Sequence, residues 1–224
     1  MTRILLFASL VALSIPSSSS ADVCDPLPWY YCEETIVDNL NTPIFNTVQI
    51  GSGSTSAFPN RGTGQSFRMT QGGRLSQIRV RMKRIGIPHE NLSLKLYNIG
   101  EFGQIEDDVI AEVELLRWFV SSSSDYHPVE FSFQNQEVYL DTGKDYYFSI
   151  FAIDGAFNYQ FELPYDDGSN YSEGTRYSAW RDNPNWAFQT SGDLNFQILA
   201  TVPEPSSFLV LPVAAIGLLF RRKR

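Results

Sequence analysis

Along the central part of the chain, apolar and polar side chains alternate with a period of two. Between Leu75 and Ile85, Ile78, Val80 and Met82 share one face, and Gln77, Arg79, Arg81 and Lys83 share the other. Leu92, Leu94 and Leu96 alternate with Ser93, Lys95 and Tyr97, and Val129, Phe131 and Phe133 with Glu130, Ser132 and Gln134. Phe157, Tyr159 and Phe161 repeat the pattern, as do Leu194, Phe196 and Ile198. Successive side chains of a strand point to opposite faces, so this pattern predicts half-buried β-strands. Val109 to Trp118 and Tyr146 to Ile153 are further candidates, and the second, apolar on both faces, predicts a central position. Turn clusters such as Gln71-Gly72-Gly73, Gly86-Ile87-Pro88, Asp141-Thr142-Gly143 and Asp166-Asp167-Gly168 separate the runs. No stretch carries a capped apolar helical stripe. A one-sided strand needs a second layer, and without helices that layer is another sheet. The expectation is an all-β fold, an antiparallel β-sandwich of jelly-roll type.

The two ends break the pattern. Arg3 precedes an apolar run from Ile4 to Ile15, and Ser19-Ser20-Ala21 supplies the small residues of a cleavage site. Residues 1–21 therefore read as a signal peptide removed by signal peptidase. About a dozen helical residues rise only ~20 Å, too little for a ~30 Å hydrocarbon core. At the other end, Val202-Pro203-Glu204-Pro205 leads into an apolar run from Phe208 to Phe220, closed by Arg221, Arg222, Lys223 and Arg224. This predicts a single short transmembrane helix, interrupted by Pro212, with its cationic end held in the cytoplasm. Between these ends lie a short N-terminal segment, 22–33, and the sandwich, 34–201. Residues 202–224 form the terminal signal. Export predicts a disulfide between Cys24 and Cys32 that staples the N-terminal segment locally.

Charge narrows the partners. Of 17 basic residues, one precedes residue 22 and four follow residue 202; of 25 acidic residues, Glu204 alone lies outside. The body thus carries 12 basic and 24 acidic residues, net −12. Such a body repels a phosphate backbone, which argues against nucleic acid as a partner.

The terminal segment resembles the PEP-CTERM sorting signal of exported proteins in Gram-negative bacteria. Its three parts, the Pro203-Glu204-Pro205 motif, the apolar segment and the tail Arg221 to Arg224, occur in order. The resemblance implies that a membrane-embedded exosortase recognises Pro203, Glu204 and Pro205 and removes the tail. The product would pass from the inner membrane to the cell surface or extracellular matrix, in the company of exopolysaccharide. A Pro-Glu-Pro stretch cannot join a regular helix, so an extended peptide is presented at the membrane face.

The body resembles the bacterial choice-of-anchor domains, particularly the R-type. The residues that carry this are Ile36-Val37-Asp38-Asn39-Leu40, Gly64-Gln65-Ser66-Phe67, Leu92 to Tyr97, Asp193 to Ile198, and Tyr177-Ser178-Ala179-Trp180 with Asn185-Trp186. The resemblance covers about residues 34 to 200. It implies surface anchoring and no established ligand or activity.

Candidate chemistry is sparse. His89 and His127 are the only histidines, each beside a proline, with no partner at metal-ligand spacing. No Gly-x-Ser-x-Gly elbow occurs, and the serine run 121–124 reads as a loop. Glu112, Glu130, Glu137 and Glu162 are candidate carboxylates for a glycosidase pair, with nothing in the spacing to select two. Glu112 and Glu114 share a strand face and are expected either to be solvated or to pair across strands with Arg79, Arg81 and Lys83. Asp166, Asp167 and Asn170 form an oxygen-rich loop with weak calcium character, lacking the EF-hand pattern. No other cofactor is indicated. The segment 164–188 combines Tyr165, Tyr171, Tyr177, Trp180 and Trp186 with Asp, Asn and Arg, a suitable setting for stacking a sugar ring. Tyr177, Trp180 and Trp186 are its candidate glycan contacts. Three readings stay open: a non-enzymatic surface or matrix protein, which the residues favour; a lectin-like glycan-binding module; and a glycosidase.

Overall fold

The computed structural model describes residues 31–44, 46–51, 61–87, 90–153, 161–168, 171–180 and 187–203. The signal peptide, Cys24, His89, Asn170, Trp186 and the terminal tail lie outside the described residues, as do the side chains of Cys32 and Trp180. Thirteen strands are described: β1 (Tyr31–Asp38), β2 (Asn46–Ile50), β3 (Arg61–Arg68), β4 (Gly73–Arg84), β5 (Leu92–Ile99), β6 (Ile105–Leu115), β7 (His127–Ser132), β8 (Tyr139–Leu140), β9 (Asp145–Ala152), β10 (Phe161–Tyr165), β11 (Arg176–Trp180), β12 (Phe188–Thr190) and β13 (Phe196–Pro203). A helical element described in full is the 3-10 turn Arg117–Phe119.

The strands form two antiparallel sheets. One runs β1-β13-β4-β10-β2, with β7 and β8 also paired to β4. The other runs β12-β11-β3-β9-β5-β6. Ile78, Val80 and Met82 of β4 lie in one buried cluster with Phe131, Phe196 and Ile198 of their own sheet and Phe67, Leu94, Leu96, Phe148 and Ile150 of the other. The Phe148 and Phe196 rings, 5.5 Å apart, join the layers. This is a β-sandwich, and the alternating run from Leu75 forms a strand as the sequence predicts, β4, which also takes the central place in its sheet.

β9 is central in its sheet and buried almost throughout, because both of its faces are covered. Tyr146, Phe148 and Ile150 enter the core, so Tyr147 and Phe151 take the opposite face. There Tyr147 lies between Tyr97, 5.9 Å away, and Tyr177, 5.2 Å away and edge-on. Gly62 and Gly64 of β3 lie beneath these rings; a Cβ on Gly62 would collide with Phe151, and one on Gly64 with Tyr147 and the Phe148 carbonyl. Glycine here makes room for aromatics from the neighbouring strand.

Two expectations are corrected. The run Val109 to Trp118 does not stay extended: β6 ends at Leu115, and Trp118 sits on the 3-10 turn, exposed. Glu112 does not pair with β4, because β6 lies in the other sheet. Its cross-strand neighbour is Lys95 on β5, 3.7 Å away, and Ser93 donates to it at 2.6 Å. Arg79 pairs instead with Glu130 across β4 and β7, at 2.9 Å.

Candidate functional site

The two layers meet at one corner. β2 is the edge strand of the first sheet, and Gly51 at its end exchanges backbone hydrogen bonds of 2.9 and 2.8 Å with Arg61 of β3. Between β2 and β10 on one side and β3, β11 and β12 on the other opens a cleft of about 420 Å³. Thr47, Val48 and Gln49 of β2, Tyr165 of β10, Arg61 of β3, Arg176 and Ser178 of β11 and Thr190 of β12 line it.

Strand parity places two unexpected residues there. Tyr177 packs on the outer aromatic face, so Arg176 and Ser178 point the other way, toward the first sheet. Arg176 is 5% exposed; its Nε and Nη2 donate to the Ser191 carbonyl at 3.1 and 2.8 Å, and its guanidinium lies 3.8 Å over the Tyr165 ring. Burial holds the Arg176 guanidinium below its ordinary pKa, and the charge of Arg61 lowers it further. Arg61 Nε is out of water without a hydrogen-bond partner, and so is Ser178 Oγ, in a residue 1% exposed. Neither arginine joins an ion pair among the described residues, whose salt bridges use Arg68, Arg79, Lys83, Lys95 and Lys144.

Behind the cleft a buried polar web holds the segment leading into β13. Asp166 Oδ1 accepts the amides of Gly168 at 2.7 Å and Asp193 at 3.0 Å. Gln65 donates to Asp193 Oδ1 at 2.8 Å and accepts the Leu194 amide at 3.1 Å. Asn39 Nδ2 donates to the Leu194 carbonyl at 2.8 Å, and Asn195 Nδ2 to the Thr42 carbonyl at 2.8 Å. Burial pushes the Asp193 carboxyl up. Its charge acts on Arg176 only at longer range than a salt bridge.

The residues singled out in sequence fall in different places. Asp166 is fully buried and committed to backbone amides, and Asp167 is exposed. Among the described residues no three His, Cys, Asp or Glu side chains form a metal-binding group. Tyr177 is half-buried in the outer aromatic ladder, and Trp180 ends β11 opposite Arg61. Glu162 sits in a tight cluster: Lys83 Nζ lies 3.0 Å away, Gln49 donates at 3.3 Å, and Tyr126 donates from its hydroxyl. Burial alone would raise the Glu162 carboxyl, but the bonds from Tyr126, Lys83 and Gln49 outweigh it and hold it low. Glu112 and Glu130 are bound to cations as described, and Glu137 is exposed. Ser123 Oγ lies 2.7 Å from His127 Nε2 but donates to the Asp125 carbonyl at 3.0 Å. The hydroxyl has one proton for these two acceptors, and no carboxylate is seen orienting the imidazole among the described contacts, so the pair lacks the third member of a triad.

The described cleft lining carries no carboxylate, imidazole or thiol. It offers positive charge and hydroxyls, which is the equipment for holding a polar ligand, while the Gln49 amide is already given to Glu162. Tyr165, Arg176 and Ser178 of the cleft lie within the segment 164–188 and Arg61 lies outside it; the sequence reading does not single out Arg61, Arg176 or Ser178. The available signal is parity: in Arg-Tyr-Ser-Ala-Trp, either face could be the inner one until the partner strands are known. Compared with known proteins, the chain matches no family model and no curated protein.

Proposed function

We propose that the chain is an exported protein, trimmed at both ends, whose sandwich acts without enzymatic activity at the cell surface or in the extracellular matrix of a Gram-negative bacterium. The observation that carries this reading is the ordered ending: Pro203-Glu204-Pro205, an apolar segment, then Arg221 to Arg224. Signal peptidase and an exosortase are its processing partners, and the tail is a membrane helix only in transit. β1 and β13 fit this arrangement. Tyr31 lies opposite Pro203 and Cys32 opposite Val202, so both processed ends leave the sandwich at one point on its edge. The Cys24–Cys32 disulfide would staple that point. The sandwich is of the jelly-roll, choice-of-anchor type in this reading, and association with exopolysaccharide follows from the sorting signal. Mass spectrometry of the native protein with cell fractionation tests it: the expected product begins near Asp22, lacks the tail and lies outside the cytosol. An untrimmed chain in the cytosol would refute it.

A second reading, a glycan-binding module, is favoured by the cleft. Its lining supplies hydrogen-bond donors and acceptors at the mouth of a rigid two-sheet scaffold, and its volume falls within the ~300–1,000 Å³ range of small-ligand pockets. Retarded migration in polysaccharide-containing gels is the expected outcome, and unchanged mobility over a broad glycan panel is the adverse one.

A further inference from the structure

Two guanidiniums close enough to perturb one another line a cleft whose described lining carries no carboxylate, and Asp193 reaches Arg176 only at long range. That is costly in isolation, because like charges repel and a buried cation loses its water. Arg176 cannot swing away, since the Ser191 carbonyl and the Tyr165 ring hold its guanidinium. Ser178 adds a hydroxyl that is buried and without a partner, and Arg61 an N–H in the same condition. Buried polar groups are ordinarily satisfied, so two groups left unpaired and closed to water at the cleft wall mark where a small shift of side chains would meet a ligand.

We propose that the cleft binds an acidic sugar residue, its carboxylate received between Arg61 and Arg176 and its hydroxyls by Ser178 and Thr190. Planar, forked guanidiniums suit a carboxylate, and bonds between charged partners are roughly twice as strong as neutral ones. The remaining lining is uncharged, with hydroxyls on Thr47 and Tyr165 and the Gln49 amide already given to Glu162, which suits a polyhydroxylated ring better than a bare ion. The body around the cleft is net −12, so a densely charged polyanion is repelled before it arrives. The favoured chain spaces its acidic sugars with neutral ones. That the sugar belongs to an extracellular polysaccharide rests on the export reading; the chemistry of the cleft does not.

The test uses the processed protein purified from exporting cells and calorimetric titration with three probes. These are an oligosaccharide holding one glucuronate among neutral glucoses, the same oligosaccharide with its carboxylate reduced to the alcohol, and sodium sulfate alone. The expected result is saturable binding of the acidic oligosaccharide, with the reduced form at least about tenfold weaker, the scale of one charge-assisted hydrogen bond. Arg61→Gln should weaken the acidic probe about 10- to 100-fold with an unchanged melting curve. Ser178→Ala, which removes only an unpartnered hydroxyl and should leave the fold intact, should weaken it several-fold. Equal affinity for the reduced oligosaccharide, or unaltered binding in both variants, overturns the proposal. Sulfate binding as tightly as the saccharide also overturns it, in favour of a simple anion site. Because titration reports on the cleft and fractionation on export, either reading can fail while the other stands.

Discussion

Two cationic centres of this sandwich are built in opposite ways. On β4, Lys83 meets a carboxylate 3.0 Å away and lies 4.3 Å from the centre of the Tyr126 ring, while Tyr126 and Gln49 donate to the same Glu162. Hydrogen bonding to Glu162 raises the Lys83 pKa, and Glu162 in turn is held low. At the cleft, Arg61 and Arg176 share no carboxylate within salt-bridge distance among the described residues. The first centre is complete, and its role ends with the stability it contributes. The second is left open. An acidic body with 24 carboxylates does not lack counter-ions, so their absence from the described lining of the cleft is a property of that site.

The largest expected effect tests what supports the cleft from behind. Asp166→Ala removes the acceptor of two backbone amides, one of them in the buried residue Asp193, and should cost about 3 kcal/mol by denaturant unfolding. Acidic-sugar binding should weaken with it, because Arg176 is anchored on Ser191, next to the same turn. A loss below about 0.5 kcal/mol would mean the web does not carry this corner. Glu162→Ala should cost about 2 kcal/mol, since it strands Lys83 and Tyr126 together. Sugar binding should be unchanged, which separates the closed centre from the open one.

The contrast bears on how much of the molecule can be read from its residues. Fold class was legible because Leu75 to Ile85, Leu92 to Tyr97 and Val129 to Phe133 alternate, and the structure places all three in strands. β9 was legible as central from its two apolar faces. β3 was expected only in part, as the strand Gly64-Gln65-Ser66-Phe67 that the resemblance supplies, because Arg-Gly-Thr-Gly-Gln-Ser-Phe-Arg has no period of two and its glycines make sense only beneath the rings above Gly62 and Gly64. Sheet membership was also hidden: local alternation says nothing of which strand lies beside β6, hence the wrong partners for Glu112. The cleft was illegible for the same reason, because its lining comes from five strands that only tertiary pairing brings together.

Acid titration gives a finer test. Glu162 has a folded pKa below its unfolded value, so its stabilisation is present above about pH 4.3 and disappears as pH falls through the lower folded value. Lys83, raised, contributes fully below about pH 10.4 and loses its contribution as pH rises through its folded value. The stability gap between the wild type and Glu162→Gln should therefore stay flat from about pH 5 to 10 and close in acid. Asp193 has the opposite sign. Burial raises its carboxyl, so the folded state takes up its proton first, and against Asp193→Asn the wild type should gain in relative stability as pH falls toward about 4. Parallel slopes for the two variants would mean the cleft and the Lys83 cluster are not electrostatically distinct.

The smallest change in stability would convert one centre into the other. Thr190 lines the cleft on β12, half-buried, with its hydroxyl donating to the Arg176 carbonyl at 3.2 Å. Thr190→Glu forfeits that bond but brings a carboxylate to the two guanidiniums, so the net effect on unfolding should be within about 1 kcal/mol and on the stabilising side. Its effect on binding should be much larger than its effect on folding. An internal carboxylate competes directly with that of the ligand, and acidic-sugar affinity should fall at least about tenfold while the melting temperature holds or rises. Thr190→Gln, similar in size to Glu but uncharged, should lose only the hydrogen bond that the Thr190 hydroxyl gives the sugar, a several-fold effect and less than that of Glu. If Glu and Gln at this position behave alike, charge is not what the open centre is waiting for, and the distinction between it and the Lys83 cluster reduces to packing.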